Sequence, residues 1–257
     1  MGQCKLCLRD AILRNSHVFP ELVYRPVYDP DSRCLRLDSA TGKSRVAQSG
    51  RYEPMLCDNC EAVFQRAENY FAKHWFQLDP LPDPVDSVYV ERAGFDFEQY
   101  FRFHLSILWR ASVARDPMFA AVKLGPFEDP LRRFLLGIDE TLRYEPRVYA
   151  MVLRQPRTHE LWNRIVVAPV RSRIYGITTY VSAFGGCSWH YCVSKQGGPL
   201  PESLQLKRPG SIIMPVIDYT DEGSIITQAW EAWKKSSRSA MPPDATAQPR
   251  SRSATGY

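Results

Sequence analysis

Two Cys-x-x-Cys pairs, Cys4 with Cys7 and Cys57 with Cys60, carry the clearest chemical signal in this chain. Two thiolates separated by two residues can bind one metal ion from a tight turn, and four thiolates complete a tetrahedral shell. Such a shell suits Zn²⁺ better than it suits a hard cation. The sequence therefore predicts a structural zinc site with these four cysteines as its ligands.

The remaining cysteines are interpreted as parts of strands. Cys187 and Cys192 lie five residues apart on one predicted strand, so their side chains point to opposite faces and cannot form a metal pair without a bulge. Cys34 is also interpreted as a strand cysteine, although an alternative role as a ligand stays open. The segment between the two pairs is longer than the roughly 12–20 residues usual for tetrathiolate sites, and we expect it to contain its own hairpin.

Residues 1–78 are expected to form a compact zinc module. Short strands are predicted at 34–37 and 45–56, on either side of a turn-rich polar loop. A helix is predicted from Cys60 to about Trp75, since apolar residues recur there at helical spacing. A knuckle, a hairpin and a helix that carries the second cysteine pair make a treble-clef arrangement. The apolar face of that helix is formed by Val63, Phe64, Ala67, Tyr70, Phe71 and Trp75.

The chain after the proline-rich segment 79–84 is expected to form a second unit, an α+β domain over residues 85–235. A basic tail, residues 236–257, is predicted to be disordered, since large apolar residues are nearly missing from it. The predicted sheet is antiparallel, with a hairpin turn at Gly185-Gly186. Helices are predicted at 95–114, 129–142 and 223–235, and strands at 147–154, 164–169, 173–184, 187–194 and 211–217.

A second motif, Ser16-His17-Val18-Phe19-Pro20, lies between the two cysteine pairs. Together with Leu56-Cys57-x-x-Cys60 opening a helix, this pattern resembles the HNH endonuclease superfamily over about the first 75 residues. The resemblance implies a ββα-metal core in which His17 is the general base. His17 would activate a water for attack on a phosphodiester, while one Mg²⁺ or Mn²⁺ ion stabilises the leaving oxygen.

The pattern departs from the family at three positions. Ser16 stands where the family has its first metal ligand, and Tyr52 stands where the family has an asparagine. On the helix the chain offers Glu61 and Gln65, and a carboxylate at Glu61 could hold Mg²⁺. The expected function is an HNH-like nuclease in bacterial defence or mobile elements. The alternative is a catalytically inactive, zinc-stabilised adaptor with a degenerate nuclease fold, in which His17 only braces the module.

Composition constrains the partners less than the motifs do. Most of the net charge of +5 lies in residues 234–257, which contain five basic residues and one acidic residue. Charge alone is therefore weak evidence for nucleic-acid binding by the rest of the chain. The expected partners are nucleic acid, in the first place DNA, and a protein that binds residues 85–235.

No apolar run reaches about 18 residues, so we expect no membrane partner and a cytoplasmic location. The aromatic helix 95–114 is interpreted as core, and a phosphate path is the alternative use of Arg102, Arg110, Arg132 and Arg133.

Overall fold

A computed structural model describes residues 1–28, 34–37, 44–47, 50, 52–163 and 165–219, with only the backbone described for 34–37 and 44–47. The predicted helix 223–235 and the predicted tail 236–257 lie outside the described residues. No helix in the described part of the chain is long and apolar enough to cross a membrane.

The described residues of the N-terminal part include three small antiparallel strand pairs and one long helix, α1. Strand β1 pairs with β2, β3 with β6, and β4 with β5. Helix α1 follows β6 directly, so the order β3, β6, α1 places a two-stranded ribbon before the helix that carries Cys60. The bounds are β1 Gly2–Gln3, β2 Asp10–Ala11, β3 Arg14–His17, β4 Cys34–Leu37, β5 Ser44–Ala47, β6 Tyr52–Leu56 and α1 Asp58–Lys73, which continues as a π-helical turn, His74–Leu78.

The rest of the described chain forms a six-stranded sheet with two further α-helices. The strand order is β7-β12-β8-β11-β10-β9. The aromatic residues of α2 are buried, which confirms that they belong to the core. The bounds are β7 Tyr89–Ala93, α2 Phe97–Val113, α3 Glu128–Leu135, β8 Arg147–Arg154, β9 Val167–Ile174, β10 Ile177–Phe184, β11 Cys187–Cys192 and β12 Ser211–Asp218.

The sheet differs from the predicted one in two respects. It is mixed, because β12 lies between β7 and β8 and runs parallel to β8. Residues 193–210 pass across β8 between β11 and β12, so β12 runs antiparallel to β11 and parallel to β8. The predicted strands 164–169 and 173–184 were wrong in their bounds, since Tyr175-Gly176 forms a turn with φ of 48° and 79° between β9 and β10. Strand β7 had not been predicted.

Helix α3 is shorter than predicted. Gly137 adopts φ of 77°, and the backbone N–H of Ile138 bonds the carbonyl of Arg133 at 2.9 Å. Such a bond around a glycine with positive φ is a common way to end a helix. The helix therefore ends before residue 142. The predicted hairpin turn at Gly185-Gly186 is confirmed, with positive φ at both glycines.

One continuous hydrophobic core joins residues of the N-terminal part to α2 and to the sheet. Its centre is aromatic: the Phe71 ring on α1 stacks on the Phe103 ring of α2, with centroids 3.9 Å apart. Across the same layer the indole N–H of Trp75 donates to the carbonyl of Gly185 at 2.9 Å. The predicted boundary at residues 79–84, with units 1–78 and 85–235, stays a prediction.

Two buried histidines lead to a prediction about acid stability. Burial lowers the pKa of His104 to about 3 and that of His190 to about 4, from an ordinary value of 6.5. Both rings are therefore neutral in the folded state, whereas the unfolded chain binds their protons below pH 6.5. The free energy of unfolding should fall by about 1.4 kcal/mol per pH unit for each ring as the pH drops from 6.5 towards these values.

Urea unfolding at pH 7 and pH 5 measures this loss, and a variant separates it from other titrations. We expect His104→Asn to lose about 2 kcal/mol less than the wild type between pH 7 and pH 5. His190→Asn should behave in the same way. Equal losses in the wild type and both variants would show that these rings do not carry the effect.

Candidate metal centre and the adjoining cleft

The four predicted zinc ligands converge. The Sγ atoms of Cys4, Cys7, Cys57 and Cys60 all lie within 4.8 Å of one another, and Cys7 Sγ is 3.9 Å from Cys57 Sγ. A tetrahedral zinc with bonds of about 2.3 Å requires sulfur–sulfur separations of about 3.8 Å. The cluster thus fits zinc in both donor type and spacing. In the described part of the chain it is the one group of three or more His, Cys, Asp or Glu side chains that converges in this way.

Local backbone geometry positions each pair. The first pair lies on a turn in which the N–H of Leu8, at φ of 62°, bonds the carbonyl of Cys4 at 2.9 Å. The second pair spans the beginning of α1, where the N–H of Cys60 bonds the carbonyl of Cys57 at 3.0 Å. A bond of 3.0 Å from the N–H of Lys5 to the carbonyl of Met55 joins the turn to β6. The insert between the pairs therefore does not keep them apart.

The thiols of the cluster differ in acidity because they differ in burial and in hydrogen bonding. Burial opposes ionisation of Cys4, but backbone hydrogen bonds from Cys7 and Cys57 outweigh it and lower the pKa of Cys4 to about 7. Burial raises the pKa of Cys60, and the neighbouring thiols raise it further. A bound metal ion deprotonates its thiol ligands, so zinc would be required to hold all four as thiolates.

A concave surface of about 220 Å³ lies between β3 and α1, and the two predicted catalytic residues line it together. His17 is on β3, and its Nε2 lies 3.1 Å from Glu21 Oε2, with one third of the side chain exposed. Its ring also meets the Tyr52 ring edge-on at 5.8 Å. We call this surface the cleft. It is lined by Asn15, His17, Glu21, Leu22, Arg25, Glu61, Gln65, Glu68, Asn69, Ala72 and Arg110.

Ser16, which replaces a metal ligand in the family pattern, contacts Glu61. The buried Ser16 hydroxyl donates to the Glu61 carboxylate and accepts the N–H of Leu56 at 3.1 Å. Ser16 and Glu61, the two positions that the resemblance assigns to metal ligation, are thus adjacent. The Ser16 hydroxyl, however, is hydrogen-bonded to the Glu61 carboxylate. Within the described residues no third ligand converges on Glu61, so a catalytic Mg²⁺ or Mn²⁺ stays a proposal.

An arginine from α2 closes the cleft on one side. Arg110 is only 2% exposed, and its guanidinium lies 2.7 Å from Glu68 and 3.1 Å from the carbonyl of His17. It also bonds the hydroxyl of Ser106 at 3.0 Å. Arg110 therefore connects α2 both to α1 and to the strand that carries His17.

The sequence reasoning missed the partners of the cleft residues. Glu21 lies four residues after His17, and Glu68 follows Glu61 at helical spacing, but the sequence analysis assigned a functional role to neither. The four arginines for which a phosphate path was the alternative use all have acidic partners. Arg110 is buried, and Arg102, Arg132 and Arg133 form ion pairs with Glu98, Asp129 and Asp139.

Comparison with known proteins gives no match to a family model, to a curated protein or to a solved structure.

Proposed function

We propose that the protein is a zinc-stabilised, HNH-like nuclease that hydrolyses nucleic-acid phosphodiesters in the cleft, with DNA as the expected substrate. The observation that supports it best is that β3, β6 and α1 bring His17 and Glu61 to one concave surface beside the cysteine cluster. A knuckle, a ribbon and a helix in this order are also what a treble-clef or ββα-metal unit requires. A cytoplasmic location and a role in bacterial defence or mobile elements belong to the same proposal.

His17 is the proposed general base. Its Nε2 faces Glu21, which would hold the ring in place, so we assign the proton abstraction from water to Nδ1. Glu61 offers a carboxylate oxygen to a divalent cation on the α1 side of the cleft. When bound, Mg²⁺ or Mn²⁺ supplies positive charge that stabilises the leaving oxygen. Zinc at the four cysteines would have a structural role only.

The second candidate is a catalytically inactive adaptor, and the hydrogen bond between Ser16 and Glu61 favours it. This bond occupies the carboxylate that the nuclease proposal assigns to a cation. A protein of this kind would keep the zinc cluster for stability and would bind a protein partner through residues 85–235.

A plasmid-nicking assay with Mg²⁺ and with Mn²⁺ decides between the two candidates. We expect the zinc-loaded wild type to nick DNA, and we expect His17→Ala to lose about 10²–10⁴-fold in rate, the usual contribution of a general base. His159→Ala is the matched control, because His159 pairs with Asp86 outside the cleft and its loss should leave the rate unchanged.

Two outcomes would count against the nuclease. Nicking that survives His17→Ala would remove His17 from its proposed role. A zinc-loaded wild type that nicks with neither ion between pH 6 and pH 9 would favour the adaptor.

A further inference from the structure

Strands β9 and β10 end in a ribbon that extends beyond the rest of the sheet. Strand β11 pairs with β10 only as far as Thr179, whereas β9 continues along β10 to Ile177. The apex of the ribbon is Tyr175, whose side chain is 84% exposed, followed by Gly176. The ribbon is therefore two strands wide at its tip and presents an aromatic ring to solvent.

One face of this ribbon carries unpaired positive charge. Arg171 lies opposite Tyr180 and Arg173 lies opposite Thr178, so both arginines point to the same face. Both are exposed, and neither has a carboxylate partner among the described residues. Strand geometry places them about 7 Å apart. Neighbouring phosphates along one strand of B-form DNA lie at a similar spacing, so each guanidinium group can contact a phosphate of its own.

Two more exposed cations belong to segments that pack against this part of the sheet. The Tyr180 hydroxyl donates to the carbonyl of Lys123, which places the backbone of Lys123 beside the pair formed by Tyr180 and Arg171. Strand β9 also contacts the short helix Pro117–Phe119 that follows Arg115.

At the cleft end, the backbone N–H of Arg115 bonds the Glu53 carboxylate at 2.9 Å. Glu53 in turn pairs with Ser16 in β3. We define Arg115, Lys123, Arg171 and Arg173 as the basic ridge. All four side chains are exposed, and none has an ion-pair partner in the part of the chain that the structure describes.

We propose that the basic ridge and the ribbon tip bind double-stranded DNA, with the ridge on the phosphates and the tip in the major groove. A two-stranded ribbon fits the major groove of B-form DNA, which is about 12 Å wide, whereas the major groove of an RNA duplex is too narrow to admit side chains. The ridge begins at Arg115, whose backbone bonds Glu53 of β6, and β6 pairs with the strand that carries His17, so we expect a duplex bound along the ridge to run towards the cleft. The proposal thus rests on the proposed nuclease function and extends it to a substrate form.

Fluorescence anisotropy with a labelled 20-base-pair DNA duplex tests the proposal without any need for cleavage. The buffer contains no Mg²⁺ or Mn²⁺ and no EDTA. We expect Arg171→Glu/Arg173→Glu to weaken binding at least about tenfold at 50 mM salt. The slope of log K against log salt should also fall by about two, one unit for each lost phosphate contact.

A single reversal, Arg173→Glu, is compared with Arg157→Glu as the matched control. Arg157 is also exposed, but it follows β8 at the opposite end of the sheet from the ribbon tip. We expect binding by Arg157→Glu to stay within about twofold of the wild type. Far-ultraviolet circular dichroism and thermal melting establish that every variant is folded.

Three results would overturn the proposal: no binding of the duplex by the wild type, equal binding by wild type and double variant, or tighter binding of a single strand or an RNA duplex of the same length. Failure here is distinct from failure of the nuclease. If the double variant binds and nicks DNA like the wild type, the DNA-binding role of the ridge is wrong and the nuclease proposal stands. If binding depends on the ridge but the protein never nicks DNA, the nuclease proposal is wrong and the DNA-binding role of the ridge stands.

Discussion

Replacing Cys57 by serine should abolish zinc binding and unfold the N-terminal part of the protein. Structural zinc sites contribute about 10–16 kcal/mol of apparent binding free energy, which is comparable to the total stability of a typical domain, about 5–15 kcal/mol. The wild type should contain about one zinc per chain by metal analysis. In the variant, amide hydrogens of residues 1–78 should exchange much faster, because folding of the cluster and metal binding are coupled.

The loss should also reach α3. The carbonyl of Leu6, inside the first cysteine turn, accepts a hydrogen bond of 2.9 Å from Arg132. A turn that loses its metal would release this contact. Faster exchange in residues 128–138 of Cys57→Ser would reveal that coupling, and a chelator added to the wild type should reproduce the same pattern.

Cys192→Ser is the matched control, since Cys192 is fully buried but belongs to β11 and not to the cluster. This variant should keep its zinc, whatever its own effect on stability. A Cys57→Ser protein that still holds one tightly bound zinc and keeps its exchange protection would refute the four-cysteine site.

Replacing Arg110 by alanine should cost about 3–5 kcal/mol of unfolding free energy. Removing one partner of a buried ion pair costs this much when it leaves the other charge without compensation. The Glu68 side chain is 21% exposed, so water can compensate part of the loss and we expect a value near the lower limit. The carbonyl of His17 would lose a donor at the same time. Chemical denaturation followed by tryptophan fluorescence measures the change.

A double variant separates the charge effect from lost packing. In Arg110→Met/Glu68→Leu both charges are gone and apolar side chains fill the space, so most of the lost stability should return. Arg66→Ala is the surface control, because Arg66 is exposed on α1 and its loss should change stability by less than about 0.5 kcal/mol. If Arg110→Ala is no more destabilising than Arg66→Ala, the contacts of Arg110 contribute little.

Local patterns in the sequence were sufficient for much of this structure. The spacing of the cysteines predicted the cluster, because two residues between thiolates and a helix after the second pair are short-range features. Helical spacing of aromatic residues predicted α1 and α2, and alternation predicted β8 with its observed bounds. The Cys34 strand, β4, is confirmed, although the side chain of Cys34 lies outside the described residues.

The errors in the predicted elements have local causes as well. A turn at Tyr175-Gly176 carries weak sequence signals, because tyrosine seldom adopts positive φ and does not mark a turn. The predicted helix 129–142 included Gly137, whereas in the structure this glycine ends the helix. The parallel position of β12 depends on where a long crossover places the strand, and no periodicity within the strand contains that information.

The candidate metal ligands and most of the helices and strands could be predicted from the sequence, since those properties depend on neighbours a few positions apart. What surrounds His17 became visible only in the folded structure. Glu61 reaches Ser16 across 45 residues, and Arg110 reaches the carbonyl of His17 across 93. Such contacts form because packing of β3 and α2 against α1 brings distant side chains together, and a single sequence carries no local pattern for that packing.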